Sequence, residues 1–203
     1  MTRPFDPGPV TLEGISVRLE PLGRRHAEDL FEVGRDESIW AYMPRPVLKS
    51  VQDTQAMIDQ ALEVAAGGTQ IPLAIVDRRS GRAVGSTRYL DIRRSDRGIE
   101  IGWTWLGTAF QRTALNSESK LLLLTHAFED QGAVRVQLKT DLRNERSQRA
   151  IERLGAVREG VLRKHIILWD GFIRDTVYYS ILDSEWPEVK RRLEHLLQRG
   201  QGG

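Results

Sequence analysis

The tightest constraint on the fold lies between residues 98 and 140, where a strand pattern, a helical pattern and a second strand pattern follow one another. Residues 98–106 (GIEIGWTWL) are rich in β-branched and aromatic side chains, as strands are. From Asn116 the pattern is helical through Gln131, and Gly132 stops it. Residues 133–140 alternate Val134, Val136 and Leu138 with Arg135, Gln137 and Lys139, the period of a half-buried strand. Two strands joined through a helix in one sheet run parallel, with a right-handed crossover. The segments around them read as antiparallel. Strands at 71–77 and 83–92 are joined by the turn Arg78-Arg79-Ser80-Gly81. Strands at 157–169 and 172–182 are joined by Asp170-Gly171, a strong two-residue hairpin signal. The expectation is an α+β fold with a mixed, mostly antiparallel sheet, one crossover in its middle, and flanking helices.

The other elements fit this frame. Val10-Thr11-Leu12 and Val17-Arg18-Leu19-Glu20-Pro21-Leu22 alternate like strands, and residues 26–34 form a short helix. Ser50-Val51-Gln52-Asp53 resembles a capping box. It leads a helix carrying Met57, Ile58, Ala61, Leu62 and Ala65 up to Gly67-Gly68. Residues 146–154 form a helix closed by Gly155, and residues 185–198 a terminal one with Trp186-Pro187 in its first turn. No repeat and no Pro/Gly/Ser-rich linker divides the chain. The reading is one domain over residues 10–198 between flexible ends, 1–9 and 199–203.

Composition removes several chemistries. With no cysteine among its 203 residues, the chain has no thiol nucleophile, thiolate zinc site or iron–sulfur cluster. Its four histidines are scattered, so no metal site is expected. A net charge of +2 creates no general field for nucleic acid. No apolar run has membrane-spanning length, and no signal-peptide stretch opens the chain, so a cytoplasmic location is expected. Neither G-x-x-x-x-G-K-[ST], G-x-G-x-x-G nor G-x-S-x-G occurs, which leaves kinase, dehydrogenase and hydrolase readings unsupported.

Three constellations remain. Gln111-Arg112-Thr113-Ala114-Leu115-Asn116 connects a strand to a helix. Unpaired N–H groups at a helix start bind phosphate, but by itself the segment reads more readily as an ordinary capped loop with Asn116 as N-cap. Glu100 lies in a strand with apolar neighbours, where a carboxylate is costly unless paired or put to use. It is either a general base or the partner of an arginine such as Arg88 or Arg93 across the hairpin. Asn144 and Ser147 lie where a strand gives way to a helix. Asn144 suits backbone or an amide ligand, and Ser147 suits a helix cap. Trp40, Tyr42 and Met43 precede Pro44 and either line a pocket or cover the core.

Taken in order, these segments resemble the GNAT acyl-CoA N-acyltransferases, in particular the RimJ/RimL-like branch. The resemblance is carried by Gly98-Ile99-Glu100-Ile101-Gly102-Trp103, Gln111-Arg112-Thr113-Ala114-Leu115-Asn116-Ser117-Glu118, Asn144-Glu145-Arg146-Ser147 and Glu152-Arg153-Leu154-Gly155-Ala156, with Val17 to Leu22 and His26 ahead of them. It implies a three-layer fold with about seven strands, the two central ones splayed, and acetyl-CoA as cofactor. Its pyrophosphate would lie on Gln111, Arg112, Thr113, Ala114, Leu115 and Asn116, with Ala114 and Asn116 at positions the family fills with glycine. The pantetheine arm would pair with backbone at Trp103, Thr104 and Trp105, like an added strand, near Asn144. Glu100 would be the base, and a strand N–H would stabilise the oxyanion. Many members carry a tyrosine acid where this chain has Ile151, which leaves Ser147 as the nearest substitute. The acceptor site would lie near Trp40, Tyr42, Met43 and residues 169–179. The implied activity is N-acetyltransfer to a primary amine: a protein N-terminus, an amino acid, or a small amine or antibiotic. The implied assembly is a homodimer, while the small net charge and the short apolar runs lead to an expectation of no nucleic-acid and no membrane partner. The alternative is a CoA-binding sensor or partner-binding module that has lost catalysis.

Overall fold

The computed structural model describes residues 5–200. Eight strands form one sheet: β1 (Leu12–Glu13), β2 (Val17–Pro21), β3 (Ile71–Asp77), β4 (Ala83–Arg93), β5 (Gly98–Leu106), β6 (Arg135–Asp141), β7 (Val157–Ile167) and β8 (Ile173–Leu182). Their order is β1-β2-β3-β4-β5-β6-β8-β7. The β5–β6 pair is parallel and every other pair antiparallel, as the crossover requires. The helices are α1 (Ala27–Gly34), α2 (Val51–Ala66), α3 (Ala114–Thr125), α4 (Glu145–Leu154) and α5 (Trp186–Gly200). The count exceeds the expected seven strands because the Val10-Thr11-Leu12 pattern yields a separate two-residue strand, pairing Leu12 with Leu19 and Glu13 with Arg18.

Each face of the sheet has its own core. Leu73, Ile75, Tyr89, Ile99, Val136, Val177 and Ile181 meet Leu123 and Leu124 of α3 and Leu193 of α5. On the opposite face Ala74, Val76 and Trp105 meet Leu30, Met57, Ile58 and Ala61 of α1 and α2. Those two helices pack on β3 and β4. Beyond them, the same face over β5, β6 and β8 is polar.

Local chemistry fixes several element ends. Ser50 caps α2, its hydroxyl accepting the Asp53 N–H at 3.0 Å. Gly155 ends α4 in the left-handed region at φ 107°, where a side chain would be strained. Other ends depart from the sequence expectation. α3 starts at Ala114 with Thr113 as its cap, not at Asn116, because the Thr113 hydroxyl accepts the Leu115 N–H. Its last turn, His126–Asp130, widens to a π-helical turn. The last hairpin is no two-residue turn: Leu168 bonds to Phe172 across Trp169, Asp170 and Gly171, with Gly171 at φ 84°. A three-residue loop with glycine in the left-handed position is the next hairpin class. The N-terminal segment expected to be loose is seated at Phe5, which is 6% exposed within the core. Residues 1–4 and 201–203 of the two expected loose ends lie outside the described residues. Among the described residues no helix is long and apolar enough to cross a membrane.

Candidate functional site

The site begins where two parallel strands part. β5 and β6 are paired at Gly98–Arg135, Ile99–Val136 and Glu100–Gln137, and no further. Beyond that point β5 stays with β4 as far as Leu106, and β6 stays with β8 as far as Asp141. The facing backbone edges of residues 101–106 and 138–141 are thus left without a sheet partner, and backbone N–H and C=O groups need one. A register shift between Ser86 and Arg88 marks the start of the divergence, with Trp103 at φ 51°. Positive φ at a bulky residue is a local strain, and bulges re-aim strands beside functional sites. The Arg88 guanidinium lies 4.3 Å from the centre of the Trp103 ring and packs the bulge from one side. Thr104 points to the other face, where its hydroxyl bonds to Thr87 at 2.8 Å and accepts from Lys120 Nζ at 2.7 Å.

Glu100 sits at the vertex of this opening and is 1% exposed. Gln137 Nε2 donates to its Oε2 at 2.7 Å, and Lys139 Nζ lies 3.0 Å from the same oxygen. The ion-pair partner is therefore Lys139, not Arg88 or Arg93. The parallel register puts Gln137 directly opposite Glu100, with Lys139 next on the same face of β6. Arg88 instead stacks on Trp103 and donates to Gln70 at 3.4 Å, while Arg93 lies 3.7 Å from Asp91. Oε1 of Glu100 accepts no hydrogen bond among the described residues. A Cβ at Gly102 would lie 3.0 Å from it, so the glycine leaves that oxygen its room.

At the far end of β5 the chain turns through Gln111 and Arg112 into α3. Arg112 takes φ 62°, whereas Ala114 and Asn116 are helical, so no left-handed conformation falls on either position the family fills with glycine. The first N–H groups of α3 have no partner within the helix. Gln111 ties this start to α4: its Nε2 donates to Leu106 O at 2.9 Å and its Oε1 accepts from Arg146 Nη1 at 2.7 Å. Asn144 caps α4, its Oδ1 accepting the Ser147 N–H at 3.0 Å, so Ser147 is the capped residue and not the cap. Ile151 is buried in the core.

The three residues expected to line the acceptor site separate. Trp40 is core, packed against Trp105 at 5.0 Å with its indole N–H on Gly34 O at 2.7 Å. Met43 packs against that same cluster. Tyr42 reaches an open cleft of about 490 Å³ that it lines with Ser38, Ala41, Arg143, Asn144, Glu145 and Arg146. The polar face beside Glu100 adds residues that the motifs did not single out: Gln137 and Lys139 on β6, Arg174, Thr176 and Tyr178 on β8, and His165 on β7. Register joins them, because Gln137 pairs with Ser180, Lys139 with Tyr178 and Asp141 with Thr176. The Tyr178 ring lies 5.7 Å from Lys139 Nζ and 5.7 Å edge-on from His165. Burial pulls the His165 imidazole below its usual value, and Lys139 and Arg174 add to the effect. The available signal was the alternation of polar Arg174, Thr176, Tyr178 and Ser180 with apolar Val177, Tyr179 and Ile181.

Residues 16–157 match the family model described as the acetyltransferase (GNAT) domain. A curated relative in Bacillus subtilis (strain 168), named "Putative ribosomal N-acetyltransferase YdaF", is 31% identical over 110 residues. That alignment takes in 54% of this chain and 59% of the relative, so the chain spans less than two thirds of the relative it matches. The crystal structure of a GCN5-related N-acetyltransferase from Brucella melitensis superposes with a TM-score of 0.88 at 28% identity, over 95% of this chain and 87% of that one. Mycobacterium smegmatis RimJ, in complex with CoA-disulfide, superposes with a TM-score of 0.80 over 93% of this chain and 95% of that one. At 19% identity that likeness concerns the fold alone.

Proposed function

Since the chain belongs to the GNAT acetyltransferase family, we propose that it transfers the acetyl group of acetyl-CoA to a primary amine by direct attack on the thioester. The observation that carries this reading is the parting of β5 from β6 immediately after Glu100. The gap offers two unpaired backbone edges to an extended, amide-bearing arm, which pairs with them as a strand would. Trp103, Thr104 and Trp105 supply the β5 edge. The start of α3, with Gln111, Arg112, Thr113, Ala114, Leu115 and Asn116, faces the pyrophosphate, because unpaired helix N–H groups and the helix dipole favour anions. Asn144 spends its Oδ1 on the α4 cap and keeps its amide N–H groups for the arm.

Glu100 is the base. Gln137 and Lys139 hold one carboxylate oxygen and leave the other to take the proton of the attacking amine, directly or through water. An N–H of the splayed β5 edge stabilises the developing oxyanion. Ile151 offers no acid for the leaving thiolate, and Ser147, beside the Asn144 cap, is the hydroxyl assigned to it. Ribosomal proteins enter as acceptors through the name of the Bacillus subtilis relative, alongside free amino acids and small amines.

The test is thiol release from acetyl-CoA over a panel of peptide N-termini, amino acids and small amines. Glu100→Gln is expected to lower kcat by about 10²- to 10⁴-fold, the range of a general base, with the Kd for CoA unchanged. CoA binding without turnover of any amine would leave a CoA-binding module in place of an enzyme. Full activity in Glu100→Gln would make the carboxylate structural.

A further inference from the structure

Arg174 is 6% exposed, yet no described residue gives its guanidinium a hydrogen bond or an ion pair, and its Nε is wholly buried without a partner. A guanidinium so nearly covered, with no counter-charge of its own in contact, is costly to hold, and an arginine cannot escape by losing its proton. The neighbouring carboxylates are already committed. Asp141 accepts from Arg143 through the backbone N–H, Nε and Nη2. Glu100 is held by Gln137 and Lys139. Thr176, next to Arg174 on the same face of β8 and fully buried, also has a hydroxyl without a partner, as has the buried Nδ1 of His165 on the adjoining strand. Three unsatisfied polar groups therefore share one patch of the face that carries Glu100, and buried polar groups are otherwise nearly always satisfied.

From this patch we infer that the acceptor is a carboxylate-bearing primary amine, its carboxylate bound by the Arg174 guanidinium while its amine faces Glu100. The inference rests on the acetyl-transfer reading and narrows its substrate. A carboxylate offers two oxygens to the guanidinium fork and neutralises its charge, whereas a neutral amide has one acceptor oxygen and no charge, and an ammonium has no acceptor. Glu100 and Arg174 lie on one face of the sheet, linked through the Glu100–Gln137, Lys139–Tyr178 and Asp141–Thr176 pairings. Two sources share this chemistry: a free amino acid, and a peptide N-terminus followed by an acidic side chain.

Matched pairs test it. Thiol release is measured for free amino acids against their carboxamides, and for tetrapeptides with Asp or Glu at the second or third position against Asn or Gln. The acid member of a pair is expected to show a kcat/KM on the order of 10- to 100-fold higher, the range of one charge-assisted pair. Arg174→Gln should erase that ratio, Arg174→Lys should keep part of it, and the exposed Arg163→Gln should leave it as it is. The arm that shows the ratio names the source. Equal rates in both arms, or a ratio that survives Arg174→Gln, overturn the inference. If no amine is turned over, calorimetric titration of the same pairs decides. Tighter binding of the acid that is lost in Arg174→Gln keeps the carboxylate site while acetyl transfer falls, and equal binding overturns the site as well. Arg174→Met, read by thermal melting, should raise the Tm by a few degrees, on the order expected when an unpaired buried charge is removed. An unchanged or lower Tm would show that the guanidinium is satisfied within the fold and overturn the inference.

Discussion

Gly102 sets the room left to a neighbouring carboxylate. Glu100 and Gly102 share a face of β5, and the missing side chain leaves the Glu100 carboxylate unobstructed. An alanine there would put its Cβ 3.0 Å from Oε1, closer than atoms of that kind ordinarily approach. The backbone at Gly102 has no positive φ, so the substitution strains nothing but the carboxylate. With Glu100 in its proposed role as base, Gly102→Ala is expected to fold normally and to lower kcat by about tenfold or more, as misplacing a reacting group does. Circular dichroism and thiol-release kinetics check the two halves, and unimpaired turnover would show that the carboxylate has other room. Glu100 itself was legible in the sequence as a carboxylate that had to be paired or used. Its partner was not. The hairpin pointed to Arg88 or Arg93, whereas the partner comes from β6, a contact set by the parallel register across a helix of crossover.

At the scale of elements, legibility followed periodicity. β3 and β5 have the limits their patterns suggest, because both are bounded by turn chemistry that the sequence displays. Helix starts were less legible, because competing side chains stand within a few residues of each other. Thr113 and Asn116 compete for the start of α3, as do Asn144 and Ser147 for that of α4, and in both cases the earlier residue wins. Thr113 and Asn144 each have backbone outside the helical region and a side-chain oxygen turned toward an N–H two or three residues on. For α4 this cap has two duties in the proposed site, since it fixes both the helix start and the asparagine amide. Asn144→Ala should cost about 1 kcal/mol in denaturant unfolding and also raise the Kd for CoA. Asn144→Asp keeps the capping oxygen and removes the amide donors, so it should keep the stability and lose the affinity. Equal CoA affinity in all three proteins would confine Asn144 to capping.

Over the whole molecule, the two faces of the sheet are unequal. Leu73, Tyr89, Ile99 and Val136 put one face into a continuous core with α3 and α5. The other face is closed by α1 and α2 over β3 and β4, and presents charged and hydroxyl groups over β6 and β8. Strand patterns revealed the alternation but not which side of each strand a helix would cover, so the polar half could not be read as one surface. The better covered face nevertheless holds a cation. Lys120 of α3 is buried, bonds to Thr104 and has no carboxylate partner among the described residues, and burial pulls its ammonium down to about 7 from 10.5. Its effect on stability has a definite sign. Below pH 7 the lysine is charged in both the folded and unfolded chain, and the full cost of burying the charge is present. Between pH 7 and 10.5 the unfolded chain keeps a proton that the folded one has released, so stability rises with pH. Above 10.5 the contribution is level. Tyr89 and Tyr179, whose hydroxyls burial pushes upward, titrate at alkaline pH with the opposite effect. A single pH curve therefore mixes the two, and the measurement that isolates the lysine is the difference between the wild type and Lys120→Met. At pH 6 the variant should be more stable by about 2–4 kcal/mol, and the advantage should shrink steadily as the pH approaches 10. Parallel curves from urea unfolding across that range would mean that Lys120 finds water or a counter-charge in the folded protein.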